Sequence, residues 1–206
     1  MEVTVISARA DDFALVARLH SASITEGFLS TLGLRFLTVL YRGIQTAPRS
    51  GVLVAKDGGT ILGFVAYTTD VATCYRWVLA RRLFPLGMAL LPSLLKPSVH
   101  ARCLQTLLYP FRARDDASPE AQSSGRRPEL LSMAVSDRAR GQGIGKQLVR
   151  SLDEQFRRLE VESYVVVTYA KDERSNGFYR SCGCVHSRSF SHHGKPMNEY
   201  LRTLNS

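Results

Sequence analysis

Cysteine is scarce. The 206-residue chain has four, Cys74, Cys103, Cys182 and Cys184, too few for the disulfide framework of a small secreted scaffold, so a reducing cytoplasm is the expected compartment. Long uncharged apolar runs are also missing. The greasiest stretch, Trp77–Leu95, is interrupted by Arg81, Arg82, Pro85 and Pro92, whereas a membrane-spanning helix needs about 20 nearly uncharged residues. Met1–Arg9 alternates polar and apolar residues as a strand does and has no long apolar core, so no secretory leader is expected. No internal repeat is visible. Cys182, Cys184 and His186 have the only spacing suggestive of a metal site. On a strand they would share a face at roughly 6.6 Å per step, too far apart for zinc bonds of about 2.0–2.3 Å. No metal is expected there, and His192-His193-Gly194 reads as a polar hairpin turn.

Charge is present, and it leans one way. Twenty-seven Lys and Arg against 18 Asp and Glu give +9, which favours an anionic partner: nucleic acid, an acidic surface or a phosphorylated small molecule. The basic residues are scattered and no stacking aromatics interleave with them, so nucleic acid ranks last. Apolar residues make up 45% of the chain, consistent with one domain that buries a sizeable core.

Periodicity sketches the elements. Val3–Ser7 reads as an edge strand, and Asp11 or Asp12 can cap a helix over Phe13–Ala22. Thr31–Gln45 reads as an amphipathic helix with Leu34, Leu37 and Tyr41 on one face. "GVLVAKDGGTILGFVAY" is a hairpin turning at Asp57-Gly58-Gly59. Leu79, Leu83, Leu86, Leu90 and Leu94 recur at helical intervals within Thr73–Phe111, which predicts two or three short helices broken by prolines. Arg112–Pro128 has no apolar periodicity and predicts a mobile loop. Glu129 then opens a strand, and Ile144, Leu148, Leu152, Phe156 and Leu159 mark a helix of about four turns. "YVVVTYA" (Tyr164–Ala170) is a buried strand. A short helix through Phe178 follows, and two strands close the chain.

Between strand and helix lies "RARGQGIGKQL" (Arg138–Leu148), with glycines at alternate positions 141, 143 and 145. Glycine exposes backbone N–H groups, and a helix N-terminus carries positive partial charge, so the arrangement suits a phosphate. Left without a ligand, glycines in or near the first turn would each cost up to about 1 kcal/mol against alanine.

Two stretches together resemble the GCN5-related N-acetyltransferase (GNAT) superfamily. "ELLSMAVSDRARGQGIGKQLV" is similar to its acetyl-CoA signature, Arg/Gln-x-x-Gly-x-Gly/Ala, which falls on Arg140, Gly143 and Gly145. "DERSNGFYRSCGC" resembles its second motif, with Phe178, Tyr179 and Gly183 matching while Asp172, Ser175 and Cys184 depart from the usual Asn, Ala and Phe. The resemblance covers most of the chain apart from the insert at about 73–128. It implies an α/β fold of the α+β kind: a central mixed sheet of about six to seven strands, helices on both faces, and a helical insert between the third and fourth strands.

The same resemblance implies acetyl-CoA as co-substrate. Gly141, Gln142, Gly143, Ile144, Gly145 and Lys146, with Arg140, would hold its pyrophosphate. The backbone of Met133, Ala134 and Val135 would line the pantetheine arm. Asp172 is expected to cap the next helix or touch that arm, and Asn176 is a second candidate for the contact. Tyr179 aligns with the general acid that protonates the departing thiolate. Glu129 is the best-placed carboxylate for the base, because Val165-Val166-Val167-Thr168 on the next strand has none.

The reading is therefore an acetyl-CoA-dependent N-acetyltransferase acting on a primary amine of a small molecule. "FLSTLGLRFLTVLY" with the long insert resembles members from amino-sugar and polysaccharide pathways, so an amino sugar or a nucleotide-linked amino sugar is the expected acceptor. The alternatives are a protein N-terminus or lysine, and a non-catalytic acyl-CoA sensor. A homodimer is an allowed assembly.

Overall fold

A computed structural model describes residues 3–24, 28–94, 127–192 and 194–204. Strand β1 (Thr4–Ser7) leads through a 3-10 turn into α1 (Phe13–Ser23), and a second 3-10 turn precedes α2 (Leu34–Thr46). Strands β2 (Ser50–Asp57) and β3 (Thr60–Thr68) form the expected hairpin, followed by α3 (Val71–Leu94). Then come β4 (Glu129–Val135), α4 (Ile144–Arg158), β5 (Ser163–Tyr169), α5 (Glu173–Ser181), β6 (Val185–His192) and β7 (Lys195–Thr203). The strands form one seven-stranded mixed sheet in the order β1-β2-β3-β4-β5-β7-β6. Every pairing is antiparallel except β4 with β5.

Strand alternation divides the core into two layers. Val52, Val54, Phe64 and Ala66 pack with α1, α2 and α3 on one face. Leu53, Ala55, Val65 and Tyr67 pack with α4 on the other. The periodic stripe of α4 is used over four of its five positions: Ile144, Leu148, Leu152 and Phe156 are buried, while Leu159 caps the end of the helix and is half-buried. Each such burial is worth about 1.5–3 kcal/mol, so this stripe anchors the helix that follows the glycine loop.

Several expectations change. The leucine-rich segment is one helix through Pro85 rather than short pieces broken there. Cys74, Val78, Leu86 and Ala89 are buried along it, and α2 approaches so closely that a Cβ on Gly43 would lie 2.9 Å from Val78. That packing outweighs a proline's local cost of about 3 kcal/mol. Asp12 precedes α1 without capping it. Its carboxylate accepts from the Arg9 amide at 2.8 Å and pairs with Lys56 at 2.6 Å. Leu34 is exposed, unlike Leu37 and Tyr41. Strand β6 starts only at Val185, so Cys182 ends α5 and the shared-face spacing with His186 does not arise. The loop expected over Arg112–Pro128 lies outside the described residues apart from its last two positions. Cys103, His193 and the side chains of Leu83, Leu90 and Leu94 lie outside them as well.

Candidate active site

The parallel pair β4–β5 is a fork. Its registered partners are Glu129 with Val165 and Leu130 with Val166, and the pairing stops there. Past that point Met133, Ala134 and Val135 keep their β3 partners. Across the opening, Val167, Thr168 and Tyr169 keep theirs on β7. Two strands thus face each other with bonded outer edges and no ladder bonds across the gap between them, and an extended chain laid there could pair with backbone groups such as those of Val167. At the mouth of the fork β4 also bulges: Ala66 pairs with Ser132 and Tyr67 with Leu130, so Leu131 is the extra residue.

The glycine loop stands beside this opening, where β4 turns into α4. Gly141 and Gly143 have φ of 75° and 78°, the left-handed region in which a side chain is strained. Gly143 is the cap residue of α4, and no side chain bonds the first amides of the helix. Gly145 is needed for a different reason, since a Cβ there would sit 2.9 Å from the Phe178 ring of α5. Gln142 donates its side-chain amide to the Arg138 carbonyl at 3.0 Å. Arg140 pairs with the exposed Asp137, a surface contact weak enough to release. Lys146 is exposed and lines a cavity of about 250 Å³ with Val149, Arg150, Ser181, Cys182 and Arg202. Sequence reasoning missed Arg150 and Arg202, because neither falls in a motif.

The two proposed proton-transfer groups belong to opposite faces of the sheet. Tyr179 is buried with the α4 layer. Burial pushes its phenol well above the ordinary value, with Cys184, Cys182 and Asp172 adding to the rise, so it is protonated at neutral pH. Glu129 neighbours Leu130, which points into that same layer, so alternation sends the Glu129 side chain to the other face. Burial pushes its carboxyl up to about 7; Arg127 opposes the shift and Glu199 reinforces it. A base that titrates near the working pH is suited to taking a proton from an amine. Next to it lies a network absent from the motif reading. Arg127 bonds both carboxylate oxygens of buried Glu199, which Arg188 also contacts at 3.2 Å. Burial alone would raise Glu199, but these arginines hold it below its usual range.

The second motif divides into a cap and a brace. Asp172 caps α5, accepting from the Ser175 amide at 3.0 Å and its hydroxyl at 2.6 Å. Asn176 corrects the expectation of a pantetheine contact. Its Oδ1 accepts from Thr168, Tyr200 and Asn198, and its Nδ2 donates to the carbonyls of Tyr169, Ala170 and Asp172. No amide capacity is left for a ligand.

One further polar cluster lies on the α1–α2 face. Buried His20 hydrogen-bonds through Nδ1 to the Tyr41 hydroxyl at 2.5 Å, and that hydroxyl bonds Ser132 Oγ at 2.8 Å. These residues lie far apart in sequence and share no motif, so no sequence signal pointed to them.

The Acetyltransferase (GNAT) family model matches residues 103–184. Solved structures share the fold over the whole chain. An N-acetyltransferase from Staphylococcus aureus Mu50 superposes with a TM-score of 0.63 at 15% identity, covering 100% of both chains. The Salmonella typhimurium protein yncA, assigned as an acetyltransferase and solved with its cofactor acetyl-CoA, gives 0.62 at 13% identity, covering 100% of this chain and 96% of that one. The ribosomal-protein-S18-alanine N-acetyltransferase of Escherichia coli gives 0.56 at 10% identity, with the same coverage. Among curated proteins none matches the sequence. Both motifs and the forked sheet lie in or beside the segment that the GNAT model matches, and the chain as a whole shares the fold of solved GNAT N-acetyltransferases. It is an enzyme of acetyl-CoA-dependent acyl transfer. Its residues fit that co-substrate, because the fork offers a pantetheine arm a gap with no ladder bonds across it and α4 offers a pyrophosphate amides that no side chain caps. No helix among the described residues is long and apolar enough to cross a membrane.

Proposed function

We propose that the acceptor is a primary amine of a small molecule, with an amino sugar or nucleotide-linked amino sugar as the leading class. The supporting observation is Glu129, half-buried at the closed end of the fork, its carboxyl raised to about 7 by desolvation. A half-buried carboxylate at the closed end of a narrow fork suits an acceptor slim enough to bring its amine to it, and the +9 charge suits a phosphorylated one.

In the proposed reaction Glu129 takes a proton from the acceptor ammonium, directly or through water. The freed lone pair attacks the acyl carbonyl carbon, forming the C–N bond, and the C–S bond breaks with its electron pair staying on sulfur. Tyr179 gives its proton to that thiolate, whose solution pKa near 8.5 lies far below that of the buried phenol, so the transfer needs the two groups in contact as the bond breaks. The second proton leaving the nitrogen of the adduct returns the tyrosinate to phenol and gives the neutral amide. The backbone of Met133, Ala134 and Val135 lines the arm. The amides from Gly141 to Lys146, with Arg140, hold the pyrophosphate.

A thiol-release screen over aminosugars, polyamines, amino acids and peptides tests the acceptor class. Turnover confined to amino sugars is expected. Turnover with peptides alone overturns the small-molecule acceptor and leaves acyl transfer standing. Acetyl-CoA binding with no acetylation of any amine favours the sensor.

A further inference from the structure

The acid and base proposed above leave His20 unexplained. It is 2% exposed in an apolar layer, against Phe64 and Tyr41, and its Nε2 has no hydrogen-bond partner. An apolar side chain would fill that space without an unmet polar atom. The histidine does, however, hold one end of a chain of hydrogen bonds, and that chain has a direction. Burial lowers His20 to about 4, so the ring is neutral at physiological pH with one N–H. With the proton on Nε2, the core would hold an orphaned donor. With it on Nδ1, the unmet atom is a lone pair, the lesser penalty. The Nδ1–H therefore donates to Tyr41, Tyr41 donates to Ser132, and Ser132 is left with a proton that Tyr41 cannot use.

Ser132 is half-buried and follows the bulge residue Leu131, two positions past the last β4–β5 pair. Its hydroxyl is thus placed where the fork opens, on the same face as Glu129. A hydroxyl that already accepts a hydrogen bond is a better donor. A donor there suits an oxygen that gains negative charge. It does not suit the attacking amine, whose lone pair has to stay free.

We propose that Ser132 donates a hydrogen bond to the carbonyl oxygen of the acyl thioester, and that His20 and Tyr41 are positioning residues that fix the direction of that bond. This rests on the reading that the thioester lies at the β4–β5 fork. No covalent bond forms or breaks at Ser132; its hydrogen bond strengthens as the carbonyl oxygen takes on charge during attack.

Two measurements test it. Nitrogen-15 NMR of the histidine rings should show His20 as the Nδ1–H tautomer, and an Nε2–H ring reverses the chain and overturns the proposal. Calorimetry should compare coenzyme A with acetyl-CoA on the wild type and on Ser132→Ala, Ser132→Thr and Tyr41→Phe. Ser132→Ala should weaken acetyl-CoA about 2–10-fold, the value of one hydrogen bond, while coenzyme A affinity stays unchanged. Ser132→Thr should restore the difference, and Tyr41→Phe should reduce it. Equal effects on both ligands, or none, overturn the role of Ser132. A wild type that binds neither ligand removes the fork-bound thioester, and the proposal falls with it.

Discussion

Two helices of this chain start in opposite ways. Helix α5 begins under Asp172, whose carboxylate takes the Ser175 amide and hydroxyl, and Asn176 behind it has every polar atom bonded within the protein. Helix α4 begins at Gly143 with no side-chain cap, after exposed glycines in left-handed conformations. A capping side chain stabilises a helix by about 1 kcal/mol, so the bare start of α4 is a forgone stabilisation. The contrast separates a terminus closed by a side chain from one whose first amides are left uncapped. In the proposed reaction α5 would meet the coenzyme through a side chain, Tyr179, whereas α4 would meet it through its backbone.

The sharpest way to break this contrast is to put a charge on the open terminus. A Cβ on Gly143 meets nothing within 4 Å, so Gly143→Glu should fold while placing a carboxylate in the phosphate seat. Acetyl-CoA affinity by calorimetry should fall by about 100-fold or more, since each charge-assisted hydrogen bond displaced is worth about 1.5–3 kcal/mol. Gly143→Ala carries the same backbone strain without the charge and should bind far better than Gly143→Glu. Unchanged affinity in Gly143→Glu would remove the loop from the coenzyme site.

The next change tests the α5 side of the contrast. Tyr179→Phe should lower kcat by about 10²–10⁴-fold and leave acetyl-CoA affinity nearly intact, the reverse of the loop variant. Wild-type turnover would strike the acid from the scheme.

Glu129 sharpens the comparison from the strand that feeds α4. Its raised carboxyl must lose a proton to act, so kcat/KM should rise with pH through about 7. Glu129→Gln should lose that limb and need higher pH, where the amine is already free. Stability should move the opposite way. A carboxyl whose folded pKa lies above its unfolded one binds more protons in the native state across that window, so it makes folding less favourable as pH rises from about 4.5 to about 7. At neutral pH Glu129→Gln should therefore melt higher than wild type, and at pH 4 the difference should vanish. A lower Tm at neutral pH would contradict the desolvated carboxylate.

The smallest effect belongs to the closed terminus. Asp172→Ala should cost about 1 kcal/mol in denaturant unfolding and leave acetyl-CoA affinity unchanged. A loss of affinity without a loss of stability would give Asp172 the contact that its capping bonds argue against.

Local patterns in the sequence were the legible part. The stripe Ile144, Leu148, Leu152 and Phe156, the Asp57-Gly58-Gly59 hairpin and the two motifs each lie within one element or one turn, where spacing determines which residues face inward. Pro85 misled because its local penalty is visible in the sequence, whereas the packing of Val78 against Gly43 that outweighs it is not. Asn176 was read by its motif position, but its partners Tyr200 and Asn198 come from the last strand. The Arg127–Glu199–Arg188 network and the His20–Tyr41–Ser132 chain are built wholly from such distant contacts. Periodicity carries no information about them.

The fork also gives this sheet an edge in its interior. Proteins usually guard unpaired strand edges at the rim, with charge, proline or a covering helix. Here a gap with no ladder bonds across it opens in the middle, between β4 and β5. Any extended polypeptide of suitable width meets the same backbone groups the coenzyme arm would use, including a strand freed from a second, partly opened copy. A coenzyme arm bound there would double as an edge guard, and ligand-free protein should self-associate as its concentration rises. Light scattering with and without saturating acetyl-CoA measures that directly.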